Sequence, residues 1–506
     1  MRLRIASRQS DLARIQAYRV AQSLKKNYSD LEIEFIFRES FGDRRLDIAM
    51  ESSEEKGLFT QDFYEGLLGG EYDLVVHSWK DLPVEERKGS AVVASLPRAD
   101  ARDLLLLKKT TRDKCRHQAL LRVLSSSPRR AHNLEDKLTL LLPGHPKIEF
   151  IPIRGNIPTR LKKLMEGNAD GLIIAKAALD RLLGAPEPEF FSMQKRIHDY
   201  LEECDWCVLP LSLNPSAAAQ GALAIEIASH RQDLRELLEP INCKETFELA
   251  QKERERLASY GGGCHQKIGV TILQRSYGRI EFLRGLTDEG EVLESQTLSD
   301  ADLNGEWKTT ENSIFPSDPK ESNWFTRMKI PLSEESLLSS DGERRAVWVS
   351  RAESLPHEWE NFNFRALWTS GIKSWHALAR RGVWVNGCSD SMGEQEKPRL
   401  EQLIGDNLRW VKLSHLEGFE QEAVELISTY QLVPVADAPN IKGKTHFFWM
   451  SGSSFLRAQN LFPEAIAFGY HACGPGNTYR VLEKYLPSDR LKVFLSYEDW
   501  RRLTLI

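Results

Sequence analysis

Cysteine is scarce in this chain and irregularly placed. Seven cysteines occur among 506 residues, whereas secreted proteins built on disulfides are short and rich in cysteine. We therefore expect reduced thiols and a cytoplasmic location. Cys204 and Cys207 have the spacing of a zinc or redox motif, but no second ligand pair lies at an interpretable distance, so no metal is expected.

Long apolar runs and an excess of positive charge are also missing. No stretch approaches the roughly 20 consecutive apolar residues of a membrane-spanning helix, and residues 1–7 lack the apolar core of a signal peptide. The formal net charge is -5 and the pI is about 6.2, which argues against a nucleic-acid-binding surface. We expect a monomer that binds neither membranes nor nucleic acid.

The chain does contain a regular alternation of strand and helix patterns. With 41% hydrophobic residues, it can fill roughly three to five domains of about 100–150 residues each. Residues 72–76 form a near-continuous apolar run of the kind found in parallel sheets. The polar residues 77–83 follow it, at the sheet edge where ligands collect in open α/β folds.

Basic side chains recur at the predicted strand ends and helix starts. Ser127 and Pro128 open a helix that is followed at once by two arginines, which predicts an anion site. Guanidinium groups pair bidentately with carboxylate or phosphate, and the chain lacks a phosphate-binding Gly-x-x-x-x-Gly-Lys-Ser/Thr loop. Ordinary surface arginine is the alternative. The basic residues concerned are Arg8, Lys56, Lys80, Arg129, Arg130, Arg154, Arg160 and Arg181.

Three consecutive glycines, residues 261–263, precede Cys264. Glycine gives the backbone access to positive φ angles and offers no side chain to shield its neighbour. The thiol of Cys264 is therefore predicted to lie on a bare, sharply turned loop. Taken alone, this segment is equally compatible with a buried structural thiol.

Seven motifs, in order over about 300 residues, resemble hydroxymethylbilane synthase, also named porphobilinogen deaminase. The resemblance implies an enzyme that joins four porphobilinogen molecules into the linear tetrapyrrole 1-hydroxymethylbilane, with release of ammonia at each condensation. The motifs are Arg4-Ile5-Ala6-Ser7-Arg8-Gln9-Ser10, Lys56-Gly57-Leu58-Phe59, His77-Ser78-Trp79-Lys80-Asp81-Leu82-Pro83, Ser126-Ser127-Pro128-Arg129-Arg130, Arg154-Gly155-Asn156, Gln220-Gly221-Ala222-Leu223 and Gly262-Gly263-Cys264.

The same resemblance implies roles for individual residues. Cys264 would hold a dipyrromethane cofactor through a thioether, and Asp81 would be the catalytic carboxylate. A carboxylate can accept pyrrole N–H groups and stabilise the cation left when ammonia departs, and it can help to move protons. The implied cofactor-binding residues are Lys80, Ser127, Arg129 and Arg130, and the implied substrate-binding residues are Arg8, Ser10, Lys56, Arg154, Asn156, Arg160 and Arg181.

One segment departs from the family pattern. Where the family has Gly-Gln-Gly-Ala, this chain has alanine at position 219 in place of the first glycine, with an apparent extra residue before it. The departure concerns the local backbone rather than the chemistry.

The last third of the chain is similar, through shorter motifs, to uroporphyrinogen-III synthase, which closes hydroxymethylbilane with inversion of the last ring. By this resemblance Tyr430 lies over the cleft, where it could assist loss of the hydroxyl. A tyrosine in an amphipathic core is the alternative. The motifs are Val347-Trp348-Val349-Ser350-Arg351, Trp368-Thr369-Ser370-Gly371, Thr429-Tyr430-Gln431, Met450-Ser451-Gly452-Ser453 and Gly474-Pro475-Gly476-Asn477-Thr478.

Two departures weigh against activity of this tail. The segment is short for the family's two α/β domains, and Gly476 and Asn477 replace the usual hydroxyl residues after Gly-Pro. A degenerate module that binds the tetrapyrrole or stabilises the enzyme is the alternative for this half. For the whole chain, a non-catalytic anion-binding protein is the contrasting class, and Cys264 and Asp81 argue against it.

The predicted fold class is α/β. Two doubly wound lobes resemble type II periplasmic binding proteins, and a small α+β domain and a C-terminal α/β module follow them. The predicted domains are lobe 1 (residues 1–98 and about 200–226), lobe 2 (99–199), a third domain carrying the cofactor cysteine (227–298), a linker (299–345) and the uroporphyrinogen-III synthase-like region (346–506).

Overall fold

The structure is a computed structural model. It describes residues 2–39, 58–85, 87–261, 266–299, 305–332, 345–360, 362, 364–394, 398–404, 408–416 and 424–506. Two predicted site residues, Lys56 and Cys264, lie outside these ranges. Across the described residues, none of the helices combines the length and apolar character needed to cross a membrane.

Twenty-three strands and sixteen helices of the described chain organise the fold. The strands are β1 (Arg2–Arg8), β2 (Glu32–Arg38), β3 (Leu74–Ser78), β4 (Ser90–Ala94), β5 (Asp103–Lys108), β6 (Leu120–Ser125), β7 (Lys147–Pro152), β8 (Gly171–Ala175), β9 (Cys204–Val208), β10 (Leu223–Ala228), β11 (Gly269–Arg275), β12 (Gly278–Leu286), β13 (Val292–Ser299), β14 (Ile314–Phe315), β15 (Phe325–Lys329), β16 (Ala346–Val349), β17 (Ala366–Thr369), β18 (Gly387–Cys388), β19 (Trp410–His415), β20 (Val424–Pro434), β21 (His446–Trp449), β22 (Tyr470–Cys473) and β23 (Leu491–Val493). The helices are α1 (Asp11–Asn27), α2 (Leu58–Leu68), α3 (Arg112–Arg116), α4 (Pro128–Leu134), α5 (Leu138–Leu141), α6 (Ile157–Glu166), α7 (Lys176–Leu183), α8 (Phe191–Glu202), α9 (Gln232–Leu238), α10 (Lys244–Ala258), α11 (Ile372–Arg380), α12 (Glu401–Ile404), α13 (Gly452–Leu461), α14 (Pro463–Phe468), α15 (Asn477–Leu482) and α16 (Tyr497–Thr504).

The first lobe is built on a five-stranded sheet in the order β2-β1-β3-β10-β4. Strands β1, β2 and β3 are parallel, and β10 runs antiparallel between β3 and β4. Helix α1 packs its apolar face, including Val20 and Leu24, against Leu3 and Ile5 of β1. This burial fixes the carboxyl ends of β1 and β3 at one edge, where Arg8 and the residues after Ser78 emerge.

The second lobe repeats this plan in the order β7-β6-β8-β5-β9. Strand β5 runs antiparallel to β8 and β9, while β6 is parallel to β7 and β8. The predicted α/β fold class is confirmed. The limits of the lobes differ from the prediction, because β9 belongs to the second sheet and the chain returns to the first sheet only with β10.

A three-stranded antiparallel sheet, β11-β12-β13, follows the lobes. Helix α10 packs on β11 through Leu249, with Val270 and Ile272 in the same apolar cluster. This unit has the α+β composition predicted for the third domain. Residues 262–265, which include Cys264, lie outside the described residues.

Two further sheets organise the described residues after position 305. One has the order β15-β20-β19-β16-β17-β18 and the other β14-β21-β22-β23. Strands β15 and β20 pair antiparallel within the six-stranded sheet, with Lys329 opposite Tyr430. In the chain, β14 of the four-stranded sheet precedes β15, and β21 of that sheet follows β20. Residues 305–332, predicted as part of a linker, therefore contribute a strand to each sheet.

The six-stranded sheet abuts the edge of lobe 2, and we refer to residues 206–208 with 384–388 as the seam. Val208 N donates to Asn386 O at 2.8 Å. The Trp384 indole and the Asn386 amide both donate to Trp206 O, at 3.1 and 2.8 Å. One apolar cluster continues across this junction and includes Trp375. The C-terminal region is thus docked on lobe 2 by backbone pairing and a shared core.

Candidate functional site

The predicted catalytic residue, Asp81, lies at the carboxyl end of β3. A single helical turn, Trp79–Asp81, follows the strand directly. Trp79 is buried against Phe247 of the third domain, with ring centroids 5.1 Å apart. Arg254 donates to the carbonyl oxygens of Trp79 and Leu82, each at 3.2 Å. Phe247 and Arg254 of the third domain hold the turn in place. Asp81 itself is exposed.

Lys80 lies beside Asp81 and reaches into the molecule. Its Nζ donates to Gln220 Oε1 at 3.1 Å. Desolvation lowers the pKa of Lys80, Asp81 acts to raise it, and Arg130 lowers it further. The charges of Asp81 and Arg130 therefore both act on Lys80.

Arg129 and Arg130 lie at the first turn of α4 and are almost fully buried. Each donates through Nη2 to Asp103, at 2.7 Å. Burial acts to raise the pKa of Asp103, but Arg130 and Arg129 hold it well below its usual range. The two guanidinium groups thus face an internal carboxylate, whereas the sequence pattern predicts an open anion site at this helix start. Within the described part of the chain, the Nε of each arginine is buried without a hydrogen-bond partner.

Arg160 and Asn156 lie at the start of α6. Arg160 donates to Gly155 O at 2.6 Å and to Ser126 Oγ at 2.7 Å. Desolvation and then Arg130 lower the pKa of Arg160, while Asp81 raises it. Asn156 caps the helix by accepting from Thr159 N at 2.9 Å.

The other predicted ligand-binding residues are placed less centrally. Arg8 and Ser10 are half-buried at the end of β1 and the start of α1, and Arg154 is exposed after β7. Ser127 is half-buried at the cap position of α4. Arg181 is buried and donates to Gly221 O at 2.6 Å, and desolvation, followed by the charge of Arg19, lowers its pKa to about 10.

The segment that departs from the family pattern lies between β9 of lobe 2 and β10 of lobe 1. Ala219 has φ 61° and Gly221 has φ 88°, both in the left-handed region that favours glycine. A Cβ atom at Gly221 would lie 2.6 Å from Ala99 O. Glu253 of α10 steadies the turn, since its Oε2 accepts from Ala219 N at 2.7 Å. The turn therefore keeps a glycine-like backbone despite the alanine.

Asp103 and Glu253 were missed by the sequence analysis, and Gln220 was named there only as part of a motif, without a role. Asp103 begins a strand of four consecutive leucines, and a charged residue entering a buried run was the available signal. Glu253 lies in a highly charged helix, and nothing local distinguishes it from its exposed neighbours.

A second group of polar residues lies between the two C-terminal sheets. Tyr430 on β20 is buried, and its ring centroid is 5.8 Å from that of His415 at the end of β19. Ser453, at the start of α13 on the other sheet, contacts His415 Nε2 at 3.3 Å. Two predicted motifs, around Tyr430 and Ser453, thus meet at a histidine that the sequence analysis did not single out.

Two arginines extend this group. Desolvation and then the charge of Arg327 lower the pKa of Arg351, whereas Tyr430 raises it. Gly393 and Gly476 bring the loops of the two sheets into backbone contact, because a Cβ on either would come within 2.7 Å of the other chain segment. We refer to Arg327, Arg351, His415, Tyr430 and Ser453 as the C-terminal cluster.

The first part of the chain is similar to known proteins. The family described as "Porphobilinogen deaminase, dipyromethane cofactor binding domain" matches residues 3–236. A porphobilinogen deaminase of Syntrophomonas wolfei is 36% identical over 56% of this chain and 84% of its own length. One of Lawsonia intracellularis is 35% identical over 59% and 91%, and one of Neisseria meningitidis is 37% identical over 56% and 83%.

Among solved structures, the periplasmic aliphatic sulphonate binding protein SsuA from Escherichia coli aligns with 51% of this chain and 72% of its own. The TM-score is 0.27 and the identity is 16%.

Proposed function

The chain belongs to the porphobilinogen deaminase family, and we propose that residues 305–506 add a second activity, the cyclisation of the deaminase product to uroporphyrinogen III. The deaminase function lies in the N-terminal part, 56% of the chain in the match to the S. wolfei relative. Porphobilinogen is its substrate in this proposal, and a linear tetrapyrrole its product.

The observation that supports the proposed deaminase site is the convergence of cations on one carboxylate. The charge of Asp81 acts to raise the pKa of both Lys80 and Arg160, and the charge of Arg130 acts to lower both. The pyrroles carry acetate and propionate groups, so a lengthening chain is increasingly anionic and needs fixed cations. Asp81, exposed on an anchored turn, can accept pyrrole N–H groups and stabilise the positive charge that develops as ammonia leaves.

The residues around Asp103 fit the dipyrromethane cofactor to which the matched family is assigned. The buried Nε donors of Arg129 and Arg130 lack partners among the described residues and are suited to carboxylate oxygens. Lys80 and Ser127 complete the proposed cofactor-binding set. When bound, the cofactor supplies the pyrrole end on which the chain is extended. Cys264 remains the proposed point of attachment.

The mass of the intact protein tests the attachment. After expression in cells that make porphobilinogen, the unaltered chain should exceed its sequence mass by one dipyrromethane, and Cys264→Ser should not. A Cys204→Ser variant is a control, because that thiol is buried in β9. If the unaltered protein has the bare sequence mass, the cofactor proposal is wrong.

The C-terminal cluster supports the proposed cyclase. Loss of the terminal hydroxyl from the linear tetrapyrrole needs a proton donor, and the phenol of Tyr430 and the imidazole of His415, with ring centroids 5.8 Å apart, are groups of that kind. Arg327 and Arg351 offer positive charge for substrate carboxylates. Because residues 305–332 join both sheets, the unit has two α/β parts with the cluster between them, and its shortness is less of an objection than the sequence suggested.

Product identity tests this activity. Incubated with porphobilinogen, the unaltered chain should yield the type III isomer, whereas type I alone would mean that the tail only binds or stabilises. We expect Tyr430→Phe or His415→Gln to lower the rate of type III formation by about 100-fold, with ammonia release unchanged. Tyr485→Phe, at an exposed tyrosine of the same half, is the matched control.

A further inference from the structure

Asp103 is a fully buried carboxylate at the junction of the two lobes. It accepts four hydrogen bonds, two on each oxygen. Oδ1 accepts from Arg130 at 2.7 Å and from Gln220 at 2.8 Å. Oδ2 accepts from Arg129 at 2.7 Å and from Asn214 at 2.8 Å. With both oxygens doubly engaged, the carboxylate has one orientation, and so do the donors that it holds.

Gln220 connects this carboxylate to lobe 1. Its Nε2 donates to Asp103 and to Ala101 O, the latter at 2.6 Å. Its Oε1 accepts from Lys80 at 3.1 Å. The side chain is only 1% exposed, and because the amide has donors on one side and an acceptor on the other, it cannot be reversed without losing these bonds. Lys80, next to Asp81, is thus held relative to Asp103.

The charges of this network do not balance. Arg129 and Arg130 contribute two positive charges and Asp103 one negative charge, so positive charge is in excess around this carboxylate. A network that served the fold alone would be expected to pair its buried charges, because an uncompensated buried ion is costly. The excess positive charge, together with the buried Nε atoms of both arginines, suits a site that is completed by an anionic ligand.

We propose that Asp103 and Gln220 are positioning residues of the deaminase reaction. Asp103 fixes the guanidinium groups of Arg129 and Arg130 in lobe 2, and Gln220 ties Lys80 of lobe 1 to the same carboxylate. Cationic groups from both lobes then keep one geometry around the carboxylates of the growing chain. This inference rests on the proposed ligand-binding roles of Lys80, Arg129 and Arg130.

The test uses the full-length holoprotein and three variants. Gln220→Met removes the link to Lys80 and leaves Asp103 with three donors. Asp103→Asn removes the central charge. Asp170→Asn is the control, because Asp170 is another buried carboxylate of lobe 2, bonded to Lys114 at 2.7 Å and to Arg122 N at 2.8 Å. Ammonia release gives kcat and KM for porphobilinogen, and thermal unfolding gives Tm.

We expect kcat/KM to fall about tenfold in Gln220→Met and about 100-fold in Asp103→Asn, as misplaced binding groups do, with KM raised in both. Asp170→Asn should lower Tm and leave KM unchanged. A wild-type KM and kcat in Gln220→Met would overturn the inference, as would the same KM increase in Asp170→Asn.

If Asp103→Asn does not fold, Gln220→Met decides the outcome alone. Absence of the cofactor mass from the unaltered protein would overturn the proposed cofactor site and this inference with it. A normal cofactor mass with unchanged kinetics in Gln220→Met would overturn only the inference.

Discussion

Each half of this chain contains two α/β sheets with polar groups between them, yet those groups are held differently in the two halves. In the deaminase half, Asp103 binds two buried guanidinium groups at 2.7 Å. In the C-terminal half, the groups that meet are an imidazole, a phenol and a hydroxyl, with a contact of 3.3 Å between His415 and Ser453.

The difference follows the chemistry proposed for each half. A deaminase must keep hold of an increasingly anionic chain through several additions, which favours cations fixed by buried hydrogen bonds. A cyclase acts once on a released product, which favours groups that exchange protons. Changes that affect one half and spare the other can therefore test the comparison.

The largest effect is expected from Asp81→Asn. Loss of the carboxylate charge should lower ammonia release by about 100-fold or more, because the developing cation loses its stabilisation. The fold should survive, since Asp81 is exposed. Hydroxymethylbilane supplied from outside should still be converted to the type III isomer by this variant. Near-normal ammonia release would remove Asp81 from the catalytic role.

Trp375→Ala should weaken the packing between lobe 2 and the C-terminal half. This side chain is fully buried in the cluster shared with lobe 2, and its indole donates to Leu141 O at 2.9 Å. Truncation of such a residue costs about 3–5 kcal/mol, and calorimetry should find both halves destabilised. The matched control is Trp500→Ala, equally buried within the four-stranded sheet unit, which should destabilise the C-terminal half alone. Equal effects of the two variants on lobe 2 would contradict this.

As the pH falls, the C-terminal half should lose stability before the deaminase half does, because of His471. This imidazole is fully buried; Nδ1 accepts from the Trp449 indole at 3.0 Å, and Nε2 contacts Ile466 O at 2.8 Å. Both contacts suit the neutral ring, and desolvation lowers the pKa from 6.5 to about 4. Stability from the neutral ring is present above pH 6.5 and is lost as the pH falls towards 4, by roughly 3 kcal/mol.

The deaminase half should respond at lower pH. The lowered pKa of Asp103, where burial is outweighed by Arg130 and Arg129, contributes stability that is present above the usual value of 3.8 and is lost only below it. Limited proteolysis between pH 6.5 and 4 should therefore cleave the C-terminal half first. His471→Gln, which does not titrate, should abolish that difference, and simultaneous cleavage of both halves in the unaltered chain would count against it.

The smallest effect is expected from Ala219→Gly. Since Ala219 has φ 61°, glycine should stabilise the crossing by about 1 kcal/mol. Gly221→Ala is the opposing control, because its Cβ would approach Ala99 O to 2.6 Å. The urea midpoint should rise in the first variant and fall in the second at unchanged m-value. A lower midpoint for Ala219→Gly would mean that the alanine methyl group contributes packing that outweighs the backbone strain.

The sequence predicted best where the pattern was local. The apolar run before His77, the helix start at Ser127 and Pro128, and the order of the motifs all follow from neighbouring residues, and the α/β class follows from their alternation. Strand pairings between distant parts of the sequence could not be predicted. Strand β15 pairs with β20, about 100 residues away. Because β15 is short, polar and flanked by prolines, its local pattern is that of a linker.

The burial of charged side chains was the other feature that the sequence did not predict. Local sequence suggests that arginines at a helix start face solvent, whereas Arg129 and Arg130 turn inward because Asp103, distant in sequence, lies under them. His415 gave no signal because its partners, Tyr430 and Ser453, come from a different strand and a different sheet. Such groups become visible only when the topology brings them together.

The seam has a consequence for how this protein can be divided. Truncation after the third domain would leave β9 as a bare sheet edge, with the apolar surface around the partners of Trp375 uncovered. Exposed edge strands and apolar patches promote pairing with other molecules. The deaminase half expressed alone should therefore aggregate more readily than stand-alone relatives, and co-expression of the missing half should restore its solubility.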